Sequence, residues 1–316
     1  TAKKYQLTFI AGVTMKVDDI NFKFFHINKW DNGEFKGDAI STTSELVKIS
    51  SDGNLGLEEG QKFERGGIYR FTVDVTKGNT KAVLTVEKVG KVDLPAPDIF
   101  FGNDKMEVTD TDIYKSDQAF TQGQMITVTG IDNLNEWWID PDFFEKQSDG
   151  ALKFLPINGD YRVTANAVLK YFSVMALKDG KPAKLQDDGT GAIWAIGKGI
   201  GKPSVTSSEV GWEPSKALCL AQVASKKYQL TLKAGETLKT SGDPEVISFK
   251  FFHQNDWGGE FGNYASSILV EQLKLADSGN LEMQDNKAFE EGAVYRFTID
   301  VTNGNANADL KVEKIN

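Results

Sequence analysis

Cysteine, histidine and long apolar runs are scarce in this 316-residue chain, and each scarcity excludes something. The single cysteine, Cys219, rules out an intramolecular disulfide framework but does not name a compartment. The two histidines, His26 and His253, occupy equivalent positions of two similar stretches, so they cannot build both a Ser-His-Asp triad and a metal site. No apolar run approaches the ~18 residues of a helical membrane span. No segment carries a clear 3.6-residue apolar period, so no glycine-rich phosphate loop has a helix to open. Positive charge is also short: a net charge of −9 and a pI near 5.0 argue against a nucleic-acid partner. The chain begins at Thr1 without a methionine, as a mature or trimmed segment does, and no signal peptide precedes Thr1.

What the chain does have is aromatic residues in alternating patterns. Twenty Phe, eight Tyr and six Trp are enough to build the cores of the two or three domains its length predicts. Tyr5, Leu7 and Phe9 alternate with Gln6 and Thr8. The stretch 20–27 places Ile20, Phe22, Phe24 and His26 on one face, which makes His26, and likewise His253, a satisfied core histidine. Residues 68–75 turn Tyr69, Phe71, Val73 and Val75 inward and Arg70, Thr72 and Asp74 outward. Turns such as Lys77-Gly-Asn-Thr80, Asn158-Gly159 and Asp179-Gly180 separate these runs. The pattern predicts an all-β protein of tandem immunoglobulin-like sandwiches.

The chain repeats itself. Phe22-Lys-Phe-Phe-His-Ile-Asn-Lys-Trp-Asp-Asn-Gly-Glu-Phe35 returns as Phe249-Lys-Phe-Phe-His-Gln-Asn-Asp-Trp-Gly-Gly-Glu-Phe261. Lys-Lys-Tyr-Gln-Leu-Thr begins at both Lys3 and Lys226, and two copies this alike share a fold. Three domains follow: 1–91, a copy short at its N-terminal side; 92–190, a separate sandwich entered through the proline linker Val92-Asp-Leu-Pro-Ala-Pro-Asp98; and 191–316, the complete copy. Residues 192–225 have no counterpart in the first copy, so a sheet edge there should be covered by a neighbouring molecule or the middle domain. In the middle domain Trp137 and Trp138 are adjacent; on a strand they point to opposite faces, so one should be exposed or lie at a domain contact.

The candidate site is the glycine-rich loop of each copy. A sugar ring has an apolar face, which a flat aromatic can cover, and a rim of hydroxyls, which planar polar groups can hold. Trp257 has Asn255, Asp256 and Glu260 beside it; Trp30 has Asn28, Asp31, Asn32 and Glu34. The competing reading is that each tryptophan plugs the end of its own sandwich. Trp194, alternating with apolar residues, reads as core. The abundant carboxylates could in principle serve a glycosidase, but they fall mostly at turns such as Asp52-Gly and Asp149-Gly, where turn chemistry explains them. Asp110, Asp112 and Asp117 lack the spacing of a helix-loop-helix calcium site. No enzyme, cofactor or metal is expected.

One family resemblance rests on a series of motifs. The order Ile193-Trp-Ala-Ile-Gly197, Gly211-Trp212, Lys227-Tyr-Gln-Leu-Thr-Leu232, Phe249-Lys-Phe251 and Asn255-Asp-Trp-Gly-Gly-Glu-Phe-Gly262 resembles the starch-binding modules of SusE- and SusF-like surface lipoproteins of Bacteroidetes, and the related sandwich modules attached to pullulanases. It covers 192–316 well, 3–91 in part, and 93–190 not at all. The resemblance implies a non-catalytic polysaccharide-binding protein on the outer-membrane surface, held by a lipid anchor outside this segment and working with a glycan transporter complex. It also implies a ligand-stacking aromatic at Trp212 and a sugar-contacting lysine at Lys250 and Lys23. Trp257, Trp212, Lys250, Glu260 and Asn255 are therefore the candidate binding residues, with Trp30 and Glu34 in the first copy and Trp137 and Trp138 as secondary candidates. Two other classes remain open: a structural or adhesion protein with the sandwiches as spacers, and an accessory fragment of a glycoside hydrolase.

Overall fold

The alternation read from the sequence is the alternation of burial. Along the strand Gly67–Asp74, Tyr69, Phe71 and Val73 are buried while Arg70 and Thr72 are half-buried on the other face; along Val294–Asp300, Tyr295, Phe297 and Ile299 are buried in the same rhythm. The computed structural model describes residues 3–17, 20–28, 33–94, 97–110, 112–131, 133–240 and 247–316. Among these the protein is all-β, a set of β-sandwiches, and its one α-helix is the single turn Val205–Ser208. The chain divides into two units, Thr1–Ala96 and Pro97–Asn316.

In the first unit a sheet runs in the spatial order Lys4–Ile10, Gly67–Asp74, Ala82–Lys91, Ile40–Thr42, the last pair parallel. A hairpin of Val47–Ile49 and Leu55–Leu57 shares its core, where Phe35, Val47, Leu55, Phe63, Phe71 and Leu84 are buried. The same plan recurs in the second unit as Lys227–Lys233, Val294–Asp300, Asp309–Lys314 and Ser266–Ile268, again with a parallel last pair, and with the hairpin of Leu273–Leu275 and Leu281–Met283. Here each sheet is wider. Ala221–Ala224 adds to the outer edge of Lys227–Lys233, and Trp194–Gly201 pairs antiparallel with Ser248–Phe252, carrying Glu209–Gly211 on its far side. Phe249 meets Phe297 edge-to-face at 5.5 Å and joins the two layers.

The stretch 20–27 departs from its expected strand. It makes only single pairings, Phe22 with Leu55 and Phe25 with Glu34, whereas Phe249 and Phe252 make the matching pairings from within a continuous strand. The reason is the neighbour: Ser248–Phe252 is held along its other side by Trp194–Gly201, and the first unit has no such strand among its described residues.

Residues 97–185 form a sandwich of a five-stranded sheet, with Tyr171–Lys178, Gly159–Asn166 and Ile113–Phe120 at its centre, and two three-stranded pieces. Phe101, Phe120, Phe144, Phe154 and Phe172 fill it. Asp179-Gly180 makes the expected tight hairpin, both residues at positive φ. Asn158-Gly159 does not: the strands either side of it, Leu152–Phe154 and Gly159–Asn166, lie in different sheets, so the turn crosses between layers.

A buried charge network joins this sandwich to the last one. Lys202 Nζ donates to both oxygens of Asp140, at 2.9 and 2.7 Å, and to Asp142 at 3.1 Å. Asp142 also accepts from the Thr231 backbone N–H and hydroxyl, both at 2.6 Å, and from Gln229 at 2.7 Å. Burial opposes charge at all three ionisable groups. At Asp140 it prevails and raises the carboxyl above the usual aspartate range. At Asp142 it is outweighed by Lys202 and the donors from Thr231 and Gln229, which hold that carboxyl below the range. At Lys202 it is outweighed by the two carboxylates, which hold the ammonium above the usual lysine value.

Candidate functional site

Two tryptophans from distant parts of the chain meet on the last sandwich. Trp257 sits on the loop that leaves Ser248–Phe252; Trp212 follows the short strand Glu209–Gly211. Their rings lie 6.2 Å apart, centroid to centroid, with planes 26° from parallel. Phe252 braces Trp257 edge-to-face at 6.0 Å, and Trp257 remains 50% exposed. Trp212 is half-buried. The exposed, braced ring of Trp257 is a flat apolar surface whose ordering has already been met by the fold.

The loop holds this geometry through its own chemistry. Gly258 and Gly259 both have positive φ, and a Cβ on Gly259 would come within 3.3 Å of His253 Cβ. The His253 N–H donates to the Gly259 carbonyl at 2.7 Å, and the Phe261 N–H to Phe251 at 3.0 Å, closing the loop at its base. Gln254 Nε2 donates to the Trp257 carbonyl at 2.7 Å, and the Trp257 N–H donates to Asp256 Oδ1 at 2.8 Å. Asp256 is thus committed to holding Trp257. Glu260 is exposed, with Oε1 3.4 Å from the Gly258 nitrogen; Asn255 is half-buried on the same loop. Lys250 is half-buried in the strand leading into it, and alternation puts it on the face of Phe252, against which Trp257 packs. The structure therefore brings Trp212 and Trp257 together, with Asn255 and Glu260 on the same loop and Lys250 on its supporting strand.

The other expected residues stand apart from this group. Trp30 lies outside the described residues. Glu34 pairs with Phe25 as Glu260 pairs with Phe252, so the first copy keeps the base of the loop. It has no described counterpart of Trp212. Trp137 is corrected: it is 7% exposed, stacked on Phe172 at 4.8 Å, and presents no free face. Trp138 makes the domain contact expected of one of the pair, donating from Nε1 to Glu236 at 2.9 Å, with Lys202 Nζ 5.9 Å from its ring centre. The histidine reading is corrected too. His26 is exposed beside Phe35, and His253 is half-buried with Nε2 unpartnered, its pKa lowered by burial. Trp194 is core as expected, with its Nε1 donating to Ala183 at 3.0 Å. Asp117 is taken by a bidentate pair with Arg162, at 2.7 and 2.6 Å.

Sequence reasoning missed the Lys202–Asp140–Asp142 cluster, although Asp140-Pro-Asp142 lies one residue beyond the tryptophan pair it did notice. It also missed the cleft of about 560 Å³ between the middle and last sandwiches, lined by Trp138, Tyr171, Lys202 and Ser207. The residues lining that cleft are scattered along the sequence and carry no common spacing.

Comparison with known families gives two matches. The model of a domain of unknown function, DUF5121, matches residues 1–76 and 188–302, the two regions that carry the repeat. A second model, the domain of unknown function DUF5125, matches 92–185, within the span 92–190 read from sequence as a separate domain. No curated protein matches the chain.

Proposed function

We propose, for a chain that belongs to the family of the domain of unknown function DUF5121, a non-catalytic role: it binds a polysaccharide, starch-like or another glycan, through the exposed aromatic surface of its last sandwich. The observation that carries this reading is the near-parallel pair Trp212 and Trp257, drawn from separate loops, with Trp257 50% exposed and Trp212 half-buried. A pyranose face packs on such a surface, and Asn255, Glu260 and Lys250 supply planar or charged groups at its rim. The site lies on an outward loop, as suits a long polymer. The family resemblance of the 192–316 motifs extends the proposal to the bacterial cell surface: an outer-membrane lipoprotein, anchored by a lipid outside this segment, that holds glycan for a transporter complex.

One stacking surface with a few water-competed hydrogen bonds supports a Kd of about 10 μM to 1 mM, roughly 4–7 kcal/mol. Trp257→Ala is expected to abolish retention of the protein in affinity gels containing its cognate polysaccharide, with an unchanged melting temperature, because an exposed ring adds little to the core. Retention that survives the substitution, or a protein that unfolds, removes Trp257 from the site. Intrinsic tryptophan fluorescence across a glycan panel identifies the sugar.

A further inference from the structure

The cleft between the middle and last sandwiches has the build of a binding site. Its volume of about 560 Å³ lies within the roughly 300–1,000 Å³ of pockets that take small molecules. One wall is a face of the strand Tyr171–Lys178: Phe172 and Val174 are buried, and Tyr171, Ser173 and Met175 alternate with them, half-buried, along the cleft. The opposite wall is the single turn Val205–Ser208 and the chain through Ser215 and Leu218. Lys202 and Asp140, both buried, form the floor. Trp138 is the fixed aromatic of this cleft. Its backbone N–H donates to the Lys170 carbonyl of the middle sandwich at 2.8 Å, and its Nε1 donates to Glu236 of the last. The half-buried ring is therefore held from both sides before any ligand arrives.

The charges of the lining are already matched. Lys202 is paired with Asp140 and Asp142, Glu209 with Lys239 at 2.8 and 2.9 Å, and Lys216 with Glu213 at 3.0 Å. A charged ligand would meet no unmatched partner and would still lose its water. Neutral hydrogen-bonding groups are free. The Asn166 side-chain oxygen accepts from the Val168 and Leu169 N–H groups. Among the described residues its amide nitrogen, and the hydroxyls of Thr206 and Ser215, have no hydrogen-bond partner, and all three residues line the cleft. The groups that could react are held inert. Burial pushes the Cys219 thiol up to about 12, and the two carboxylates keep Lys202 charged. Neither is a nucleophile at neutral pH, so they offer binding and not covalent chemistry.

We propose that this cleft is a second ligand site, which takes a short neutral oligosaccharide. Trp138 supplies a flat apolar surface for one sugar ring, and Asn166, Thr206 and Ser215 supply uncharged partners for its hydroxyls. The buried floor limits length: a short free chain or the end of a longer one enters, whereas an open surface holds the middle of a polymer. The site shares no residue with the Trp212–Trp257 pair and does not rest on the role given to that pair.

The test is amide hydrogen exchange of the full chain with and without maltotriose, cellotriose or mannotriose, with trigalacturonate as the charged comparator. At least one neutral trisaccharide should slow exchange in the turn at residues 167–170 and in Val205–Ser208; the aromatic surface reports separately, at residues 254–261. Thr206→Trp, at an exposed position on the rim, should abolish the first footprint and leave the second unchanged. Trp138→Ala should weaken binding at the cleft about tenfold, the worth of one stacked ring; if that variant parts the sandwiches, Thr206→Trp decides alone. Three results overturn the proposal: no protection of the cleft by any neutral trisaccharide, protection that survives Thr206→Trp, or equal protection by trigalacturonate. A footprint at residues 254–261 alone removes this site and leaves the aromatic surface standing; a footprint at the cleft alone does the reverse.

Discussion

Tyr228 and Leu230 are fully buried, while Tyr5 and Leu7, at the same positions of the same Lys-Tyr-Gln-Leu-Thr sequence, are 66% and 44% exposed. Nothing within the strands accounts for this. Lys4–Ile10 pairs with Gly67–Asp74 in the register that Lys227–Lys233 keeps with Val294–Asp300, Leu7 opposite Phe71 as Leu230 is opposite Phe297. In the last copy, residues 192–224 add strands to both sheets and present Lys202 to the middle sandwich, and the Tyr228 hydroxyl donates to the Gly189 carbonyl. Burial of a β-strand is a property of what lies over it. The same added segment carries Trp212, so covering the core and building the aromatic pair are one structural event.

The comparison can be broken most strongly at Lys202. Lys202→Met leaves Asp140 and Asp142 buried beside each other without a cation, and should cost the second unit about 3–5 kcal/mol in urea unfolding at pH 7, with the first unit's transition unmoved. The pH dependence has a definite sign. Lys202 is raised, so its contribution is present below the ordinary lysine range and is lost as pH climbs through the folded value. Asp142 is lowered, so its contribution is present above about pH 4 and is lost as pH falls. The deficit of the variant should therefore be fullest near neutrality and shrink in acid.

A matched pair of truncations sharpens it next. Leu230→Ala removes a side chain from a closed core and should cost about 2–5 kcal/mol. Leu7→Ala, at the equivalent position on an open face, should cost under about 1 kcal/mol, measured by the same denaturant titration. Equal losses would mean that something covers this face of the first unit in solution.

The smallest effect tests a feature that both copies share. Asp74 is pulled to about 2 by the Thr76 hydroxyl and N–H and by Lys4. At Asp300 burial acts in the opposite direction but is outweighed by Thr302 and Lys227, so it too is lowered. Both contributions should be present above about pH 4 and be lost on acidification. Asp74→Asn and Asp300→Asn should each lower the melting temperature of their own unit slightly at pH 6, and the difference from wild type should vanish near pH 2.

Much of this was legible in the residues. Tyr69, Phe71 and Val73, the Asp179-Gly180 turn and the core position of Trp194 all follow from a two-residue period and turn chemistry, both local to the backbone. The pairing of Trp212 with Trp257 was reachable only through motif order, because no spacing rule links residues that far apart. Where alternation was carried too far, at residues 20–27, it assumed a neighbouring strand that the first unit does not have among its described residues; at His253 it ran past the end of the strand Ser248–Phe252.

The sequence by itself determined the all-β class, the repeat, the faces of the strands and the loop that carries Trp257, since each depends on residues a few positions apart. Only the tertiary structure decided that Tyr228 is covered and Tyr5 is not, that Trp137 is core while Trp138 bonds Glu236, and that Lys202 reaches Asp142 across 60 residues of chain. Those outcomes turn on which surfaces come together, and coverage, desolvation and charge pairing exist only once they have.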